Sequence, residues 1–399
     1  MKMWRGMCAV VTAIILFVGT AAGETKIPEA SLDWFESKGI TLGEASVAYP
    51  FMTEDAPVEE SLLKQINDRI LEDGKVTEYV SRVSQLISGG SMNVSWRGTV
   101  LGQVFSFELL AEGAVETAKP SSVWRTGNID LRDGSEIIWE DLFSDQDRVR
   151  EVIEAYLEEE VAPELSAHLM NSQLIPLPDL FRVHERGLIL FYPIDQLSTL
   201  SDRAGAVLIP WDRVAPYLNL EEGSPAEMMG LASRLPWQED VPEESIAALK
   251  ASIAAAVSAG TFPGIPAKLG DSMQDLTDEW HLLIDPDVYA LGRFFSLEGA
   301  EFRNVFLMTD YLTEGWENSL VDGIRVDTGS LYGLTVGTTK RETWRKVLGE
   351  PDHVVEMDAE QAEAYRTVPG FRDYYVFGEH RLQLHADGEG VLQSLILAE

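Results

Sequence analysis

Beyond residue 23 the chain contains no cysteine; the single one among its 399 residues is Cys8. No disulfide and no thiolate chemistry is therefore open to the rest of the sequence. Cationic residues are scarce too. The chain has 31 Lys and Arg against 66 Asp and Glu, for a net charge of -35, which argues against a nucleic-acid partner and against an anionic membrane surface. The six histidines, His168, His184, His281, His353, His380 and His385, form no His-Glu-x-x-His motif and no pair at ligand spacing, so neither metal nor cofactor is expected. His380 and His385 are an odd number apart on an expected strand and should face opposite sides. There is no Gly-x-Ser-x-Gly elbow, no phosphate-binding Gly-Lys-Ser/Thr loop and no dinucleotide fingerprint. Ser61-Leu62-Leu63-Lys64 matches a Ser-x-x-Lys pattern but lacks its Lys-Thr-Gly partner, and Leu62 opens an amphipathic stripe. "HADGEGV" at 385–391 reads as a hairpin turn rather than a calcium loop.

Hydrophobic content is 45%, enough for real cores. The first 23 residues stand apart: Lys2 and Arg5 precede "MCAVVTAIILFVG" and then Ala21-Ala22-Gly23. This is the pattern of a secretory signal peptide cut before Glu24, with an apolar core too short to span a bilayer comfortably. No later run is apolar enough to cross a membrane. The expected product is exported, to the periplasm or the medium.

The spacing of Leu62, Ile66 and Ile70 predicts a helix from about Ser61. Val76, Tyr79, Val80, Val83, Leu86 and Ile87 predict a second, ended by Gly89-Gly90. Strands are expected at 45–52, in "MNVSW" and in "TVLGQVFSFELLAEG", where Phe105, Phe107 and Leu109 alternate. "NIDLRDGSEIIWEDLF", 128–143, reads as a strand, an Asp133-Gly134 turn, a second strand and an acidic stop. A helix is expected over 147–169, broken near Pro163. "LFRVHERGLILFYP" predicts a hairpin turning at Arg186-Gly187, and "AGAVLIPWDRVAPYL" a strand entering a short helix. Helices followed by mainly antiparallel strands indicate an α+β fold. Residues 221–244, rich in Pro, Gly and Glu, read as a linker between a domain at 24–220 and another at 245–399.

The second domain contains a weak repeat. "LGDSMQDLTDEW" at 269–280 parallels "VGTTKRETWRKV" at 336–347, pairing Gly270 with Gly337 and Ser272 with Thr339. In each, a small polar residue is expected to cap a short helix that strands follow. The domain should thus be a duplicated helix-plus-antiparallel-sheet unit.

Tyr49-Pro50, Ile66-Asn67, Asn128 to Leu131, Gly134, Asp141-Leu142-Phe143, Gly187-Leu188, Tyr192, Gly205 and Ile209-Pro210 carry a likeness. In that order, residues 45–220 resemble an extracytoplasmic module of lysozyme-sensing anti-sigma factors, found also beside the catalytic domain of some secreted peptidoglycan deacetylases. The module's Gly-Gly-Ala-His run is replaced here by "EGAVETAKPSSVWRTG", and the deacetylase metal motif is absent. "VGTTKRETWRKVLGEPD" and "DYYVFG" make residues 262–399 similar to the β-lactamase-inhibitor-protein-like fold, whose members mostly bind other proteins.

The resemblances imply a non-catalytic cell-envelope binding protein, recognising a protein, such as a lysozyme-like hydrolase, or cell-wall glycan. The alternative is an envelope polysaccharide-modifying enzyme working through a carboxylate pair. Trp124 and Arg125, in the module's variable loop, and Tyr374 and Tyr375 are the candidate binding residues, because aromatic and Arg side chains dominate binding hot spots. Strand alternation should turn one of the two tyrosines outward and the other inward.

Overall fold

The computed structural model describes residues 30–85, 90–115, 121–158, 179–192, 206–234, 243–280, 282, 287–289, 292–310 and 312–399. The expected signal peptide, the Pro163 break and His168 lie outside these residues. The fold is α+β.

The first half is built in four layers. Helices α1 (Glu60–Asp73) and α2 (Val76–Gln85) pack on a five-stranded sheet of β1 (Phe35–Leu42), β2 (Ala45–Met52), β3 (Gly90–Leu101), β4 (Val104–Val115) and β5 (Ser121–Asp130). Ile66, Ile70, Val76, Tyr79 and Val83 are buried against Val94, Phe105, Phe107 and Leu109. These are the helix and strand stripes that the periodicity predicts. Asn67 fastens α1 to the sheet: its side chain accepts from the Met52 N–H at 2.8 Å and donates to the Met52 carbonyl at 3.0 Å.

The other face of this sheet meets a three-stranded antiparallel sheet of β6 (Phe181–His184), β7 (Gly187–Phe191) and β8 (Ala206–Pro210). All five β7 residues are buried. Leu188 and Leu190 face helix α3 (Gln146–Tyr156), while Ile189 and Phe191 face Leu110 and Trp124. A strand covered on both faces reads as a continuous apolar run, as "GLILF" does. At Gly187 a Cβ would lie 2.1 Å from the Ile209 carbonyl oxygen, so strand packing there requires glycine.

Two expectations need correction. Residues 136–139 are not a second strand: Glu136 forms a single bridge to Ile129, Ile137 N–H bonds the Asn128 carbonyl, and Trp139–Leu142 is a helical turn. The Asp133-Gly134 turn does form, with Gly134 at φ +72°. The 221–244 segment is not simply a linker. Ser224 caps a short helix, Pro225–Met228, and Ala226, Met229 and Leu231 are buried in the first half's core. The first half therefore extends at least to residue 231, and residues 235–242 lie outside the described ones.

The second half opens with α4 (Glu243–Ser258) and is centred on one eight-stranded antiparallel sheet. Its strands are β9 (Asp287–Tyr289), β10 (Gly292–Phe295), β11 (Val305–Asp310), β12 (Gly323–Val326), β15 (His353–Met357), β16 (Gly370–Phe377), β17 (His380–Asp387) and β18 (Leu392–Ala398), with a two-stranded ribbon, β13 (Ser330–Leu331) and β14 (Leu334–Thr335), apart from it. The order β15-β16-β17-β18-β12-β11-β10-β9 places two four-strand units back to back across β18 and β12. Each unit is preceded by a helix, α5 (Met273–Glu279) and α6 (Arg341–Leu348); α7 (Ala359–Ala364) follows β15.

The duplication shows in the hydrogen bonds. Gly270 N–H bonds the Val321 carbonyl at 2.8 Å, and Gly337 N–H bonds the Leu392 carbonyl at 2.7 Å, both glycines being at φ above +80°. The register differs from the sequence alignment by one residue. Ser272 and Lys340 bridge Leu320 and Val391 respectively, so Ser272 is the counterpart of Lys340, not of Thr339. Ser272 caps its helix, whereas Thr339 is buried and its hydroxyl accepts from Thr335 N–H.

Candidate functional site

Strand alternation on β6 sends Phe181 and Val183 into the first half's core, and Arg182 and His184 toward the second half. Arg182 is 2% exposed. Its Nε lies 2.9 Å from Glu108 Oε2, its Nη1 donates to Thr99 Oγ1 at 3.0 Å, and its Nη2 donates to Glu301 Oε1 at 2.9 Å. Glu301 sits in a 3-10 turn of the second half, Ala300–Phe302. Arg186, at the β6–β7 turn, donates to the Glu301 carbonyl and, at 3.0 Å, to the Thr328 carbonyl. Arg97 on β3 donates to the Glu298 carbonyl at 3.0 Å, stands 3.8 Å from Glu301 Oε1, and lays its guanidinium 4.9 Å from the centre of the Trp280 ring. Three first-half arginines thus converge on one short turn of the second half.

Burial by itself would raise the Glu301 pKa. The charges of Arg182, His184 and Arg97 outweigh it and hold the carboxyl down at about 2. Burial pulls Arg186 down to about 10, partly opposed by Glu301. Glu301 is a fixed anion, already engaged, and is not a reservoir of protons.

Beside this junction lies an open cleft of about 910 Å³. One wall is β3, whose alternate residues Asn93, Ser95, Arg97 and Thr99 line it, with Glu112 from β4. The opposite wall comes from the second half and includes Trp280 and Glu298. The lining carries four carboxylates, Glu112, Glu185, Glu298 and Glu301, against the guanidinium groups of Arg97 and Arg182. Such a surface offers hydrogen-bond acceptors beside a few donors and an aromatic ring, and its charge is unfavourable to a polyanion. Among the described residues, no group of three or more His, Cys, Asp or Glu side chains could hold a metal ion. Among the same residues, no helix is long and apolar enough to cross a membrane.

The four residues singled out in the sequence do not come together. Trp124 is in β5 rather than in a loop, is 3% exposed, and packs on Phe191 at 4.8 Å between ring centres. Its neighbours Leu110, Ile189, Leu208 and Ala300 form a small apolar core at the junction of the halves. Large aromatic area buried this way serves packing. Arg125 points to the opposite side of β5, near Tyr79, and donates to the Trp124 carbonyl at 3.1 Å. Tyr375 is buried, donates to the Gly349 carbonyl at 3.1 Å, and has its pKa raised mainly by burial. Tyr374 is half-buried on the other face of β16, 5.8 Å from the His353 ring.

The marks of the first-half resemblance do structural work. Asn128 Oδ1 accepts from Ser106 Oγ at 2.5 Å, Asn128 Nδ2 donates to the Phe181 carbonyl at 3.0 Å, and Ser106 Oγ accepts from Val183 N–H at 2.9 Å. The opening Asn of "NIDLRDG" thereby pins β6 across the first sheet, which positions Arg182. In the second half, Asp373 is buried beneath α6. It accepts from Arg341, Arg345 and the Trp344 indole, and these bonds hold its pKa at about 2 although burial raises it. That cluster accounts for Arg341, Trp344 and Arg345 of "KRETWRKV".

No family model matches the chain, and no curated protein matches it. Among solved structures it is similar to a DUF3298 family protein from Pseudomonas aeruginosa PAO1, at 12% identity and a TM-score of 0.32, over 46% of this chain and 94% of that one. It is also similar to a member of the DUF3298 family from Bacteroides fragilis NCTC 9343, at 11% identity and a TM-score of 0.31, over 49% and 96%. A DUF4309 family protein from Bacillus subtilis subsp. subtilis str. 168 matches at 13% identity and a TM-score of 0.27, over 39% and 99%. Likenesses at these TM-scores fix no function.

Proposed function

We propose that the chain is an exported, non-catalytic binding protein of the cell envelope, and that the cleft between its halves receives a stretch of cell-wall glycan. The observation that carries this reading is the polar row Asn93, Ser95, Arg97 and Thr99 on β3, facing Trp280 and Glu298 across about 910 Å³. Sugar hydroxyls are both donors and acceptors, so neutral hydroxyl and amide groups, carboxylates and an arginine can all bond to them. The excess of carboxylates disfavours phosphate-rich polymers. The floor is held by the Arg182–Glu301 contact, so the site is preformed and little ordering cost attends binding. The alternative, a carboxylate-pair enzyme, needs one acid with a raised pKa. Glu301, the most buried carboxylate lining the cleft, is engaged by Arg182 and Arg97, whose charges lower its pKa, so it is ill suited to be that acid. The resemblance of residues 45–220 to envelope-sensing modules is in keeping with this role.

Calorimetry with soluble glycan strands tests it. Wild type should bind, and Ser95→Trp, which fills the cleft from a half-buried position, should abolish binding while melting normally. Retained binding by a normally melting Ser95→Trp protein contradicts the cleft as the site. Pull-down from envelope extract before and after lysozyme digestion separates the two partner classes: capture of a protein that survives digestion, with no glycan binding, favours a protein partner instead.

A further inference from the structure

The eight-stranded sheet ends at β15, which pairs with β16 and, among the described residues, with nothing on its outer side. Edge strands left this way invite another chain, and proteins usually blunt them with short length, charged side chains (lysine above all), a proline, a bulge or a covering element, so the charges at an edge select which chain can add there. β15 reads His353-Val354-Val355-Glu356-Met357, with neither lysine nor proline inside it. The pairing with β16 is continuous over all five residues, so no bulge twists it away. Helix α7 follows β15, and the segment after it crosses the sheet face. Arg325 on β12 donates to the Tyr365 and Arg366 carbonyls at 2.8 and 2.9 Å, and His385 contacts the Val368 carbonyl at 2.8 Å. That crossing leads away from the edge instead of covering it.

We propose that β15 is a docking edge for an extended, cationic segment of another protein, which adds to the sheet as a further strand. The side chains beside the edge fit this occupant. On the face away from α6, the His353 ring lies 5.8 Å from that of Tyr374, tilted by 45°, and Val376 of the same face is 56% exposed. On the other face, Val354 is 42% exposed. A strand added at β15 would set alternate side chains beside His353 and Tyr374 on one face and beside Val354 on the other, while its backbone bonds the free edge. Five exposed carboxylates flank the edge, Glu350, Asp352, Glu356, Asp358 and Glu360, against one nearby cation, Arg345, 3.5 Å from Glu350. Lys or Arg side chains alternating with apolar ones on the incoming strand would meet these carboxylates.

The same charges argue against a second copy of this chain. Antiparallel self-pairing at β15 would gather Asp352, Glu356 and Asp358 of two copies, and like charges facing each other across strands destabilise pairing. Each copy also carries a net charge of -35. The proposal is independent of the cleft reading, because β15 and the cleft lie on different elements.

The probe is a short synthetic peptide alternating lysine with valine, compared with one in which glutamate replaces every lysine. Fluorescence anisotropy should show the lysine peptide binding the full chain, more weakly as salt rises, and the glutamate peptide not binding. Glu356→Lys and Val354→Lys, both at exposed positions, should each weaken the lysine peptide by about tenfold or more at unchanged melting temperature. Hydrogen exchange should show protection at 353–357 on binding. Equal binding of both peptides, binding unaffected by the two lysine variants, protection elsewhere than 353–357, or a dimer in sedimentation that Glu356→Lys dissolves would each overturn the proposal.

Discussion

Glu301 and Arg182, 119 residues apart, meet at 2.9 Å with both side chains almost wholly buried, and the contact crosses from one half of the chain to the other. Around it, Arg97, Arg186 and Glu108 complete a network whose charges have left water together. A buried pair of this kind adds little net stability over an apolar contact, but removing one member strands the others. It therefore fixes the geometry of the junction more than it strengthens the fold.

Glu301→Ala should lower stability by about 3–5 kcal/mol, because the buried Arg182 and its neighbour Arg97 lose the carboxylate they share. Denaturant melts of the full chain measure this. Reading both halves, by site-placed fluorescence, should also show them separating in two steps in the variant and moving together in wild type. A loss below about 1 kcal/mol with a single shared transition would mean that the network is incidental.

Two groups of carboxylates make opposite predictions with pH. Asp373 and Glu301 have folded pKa values of about 2, below their ordinary values near 4. Their contribution is complete above the ordinary values and is lost as pH falls from about 4 toward 2. Asp73 behaves in reverse. Burial raises it to about 6 against the pull of Arg69, and its Oδ2 lacks a hydrogen-bond partner among the described residues. Its ionised form costs stability at neutral pH, and that cost disappears as pH falls through 6 toward 4. Asp73→Asn should be more stable than wild type by on the order of 1–3 kcal/mol at neutral pH, with the two converging near the ordinary carboxylate pKa. A pH series of melts on both proteins checks it, and a constant difference across the series would refute the raised pKa.

Trp124→Ala should cost about 3–5 kcal/mol of stability, since the ring fills the core between Phe191, Leu208 and Ala300. Any loss of binding in that variant should track the loss of folded protein. Thermal melts read beside binding at a temperature where the variant is folded decide this; normal melting with selective loss of binding would restore Trp124 as a contact residue.

The helices α1 and α2, the hairpin at 181–191 and the duplicated unit of the second half were legible because each is encoded locally. Four-residue apolar spacing, a turn dipeptide between apolar runs, and a glycine shortly before a short helix all act within a dozen residues. The extent of the first half was not. Gly223, Pro225 and Gly230 have linker composition, yet Pro225 begins a short helix after its Ser224 cap, and Gly223 and Gly230 adopt the positive φ of tight turns. Ala226, Met229 and Leu231 are too few to show a period. Trp124 reads as a loop residue because "EGAVETAKPSSVWRTG" lacks a clear apolar alternation, yet β4 runs to Val115 and β5 starts at Ser121, which puts Trp124 inside a strand. The junction was invisible because its members come from β3, β4, β6 and a turn more than a hundred residues later. Its one local sign is the polar cluster Arg182, His184, Glu185 and Arg186 between the apolar runs of a hairpin.

The central claim is that the cleft beside this junction is where the chain recognises its ligand. Hydrogen exchange by mass spectrometry, on the full chain with and without purified cell-wall glycan strands, addresses it directly. The account predicts slowed exchange at 93–99 of β3 and at 298–302, with the helices α1 and α2 unchanged. Slowed exchange confined to other segments, or none at glycan concentrations that saturate binding, would contradict it.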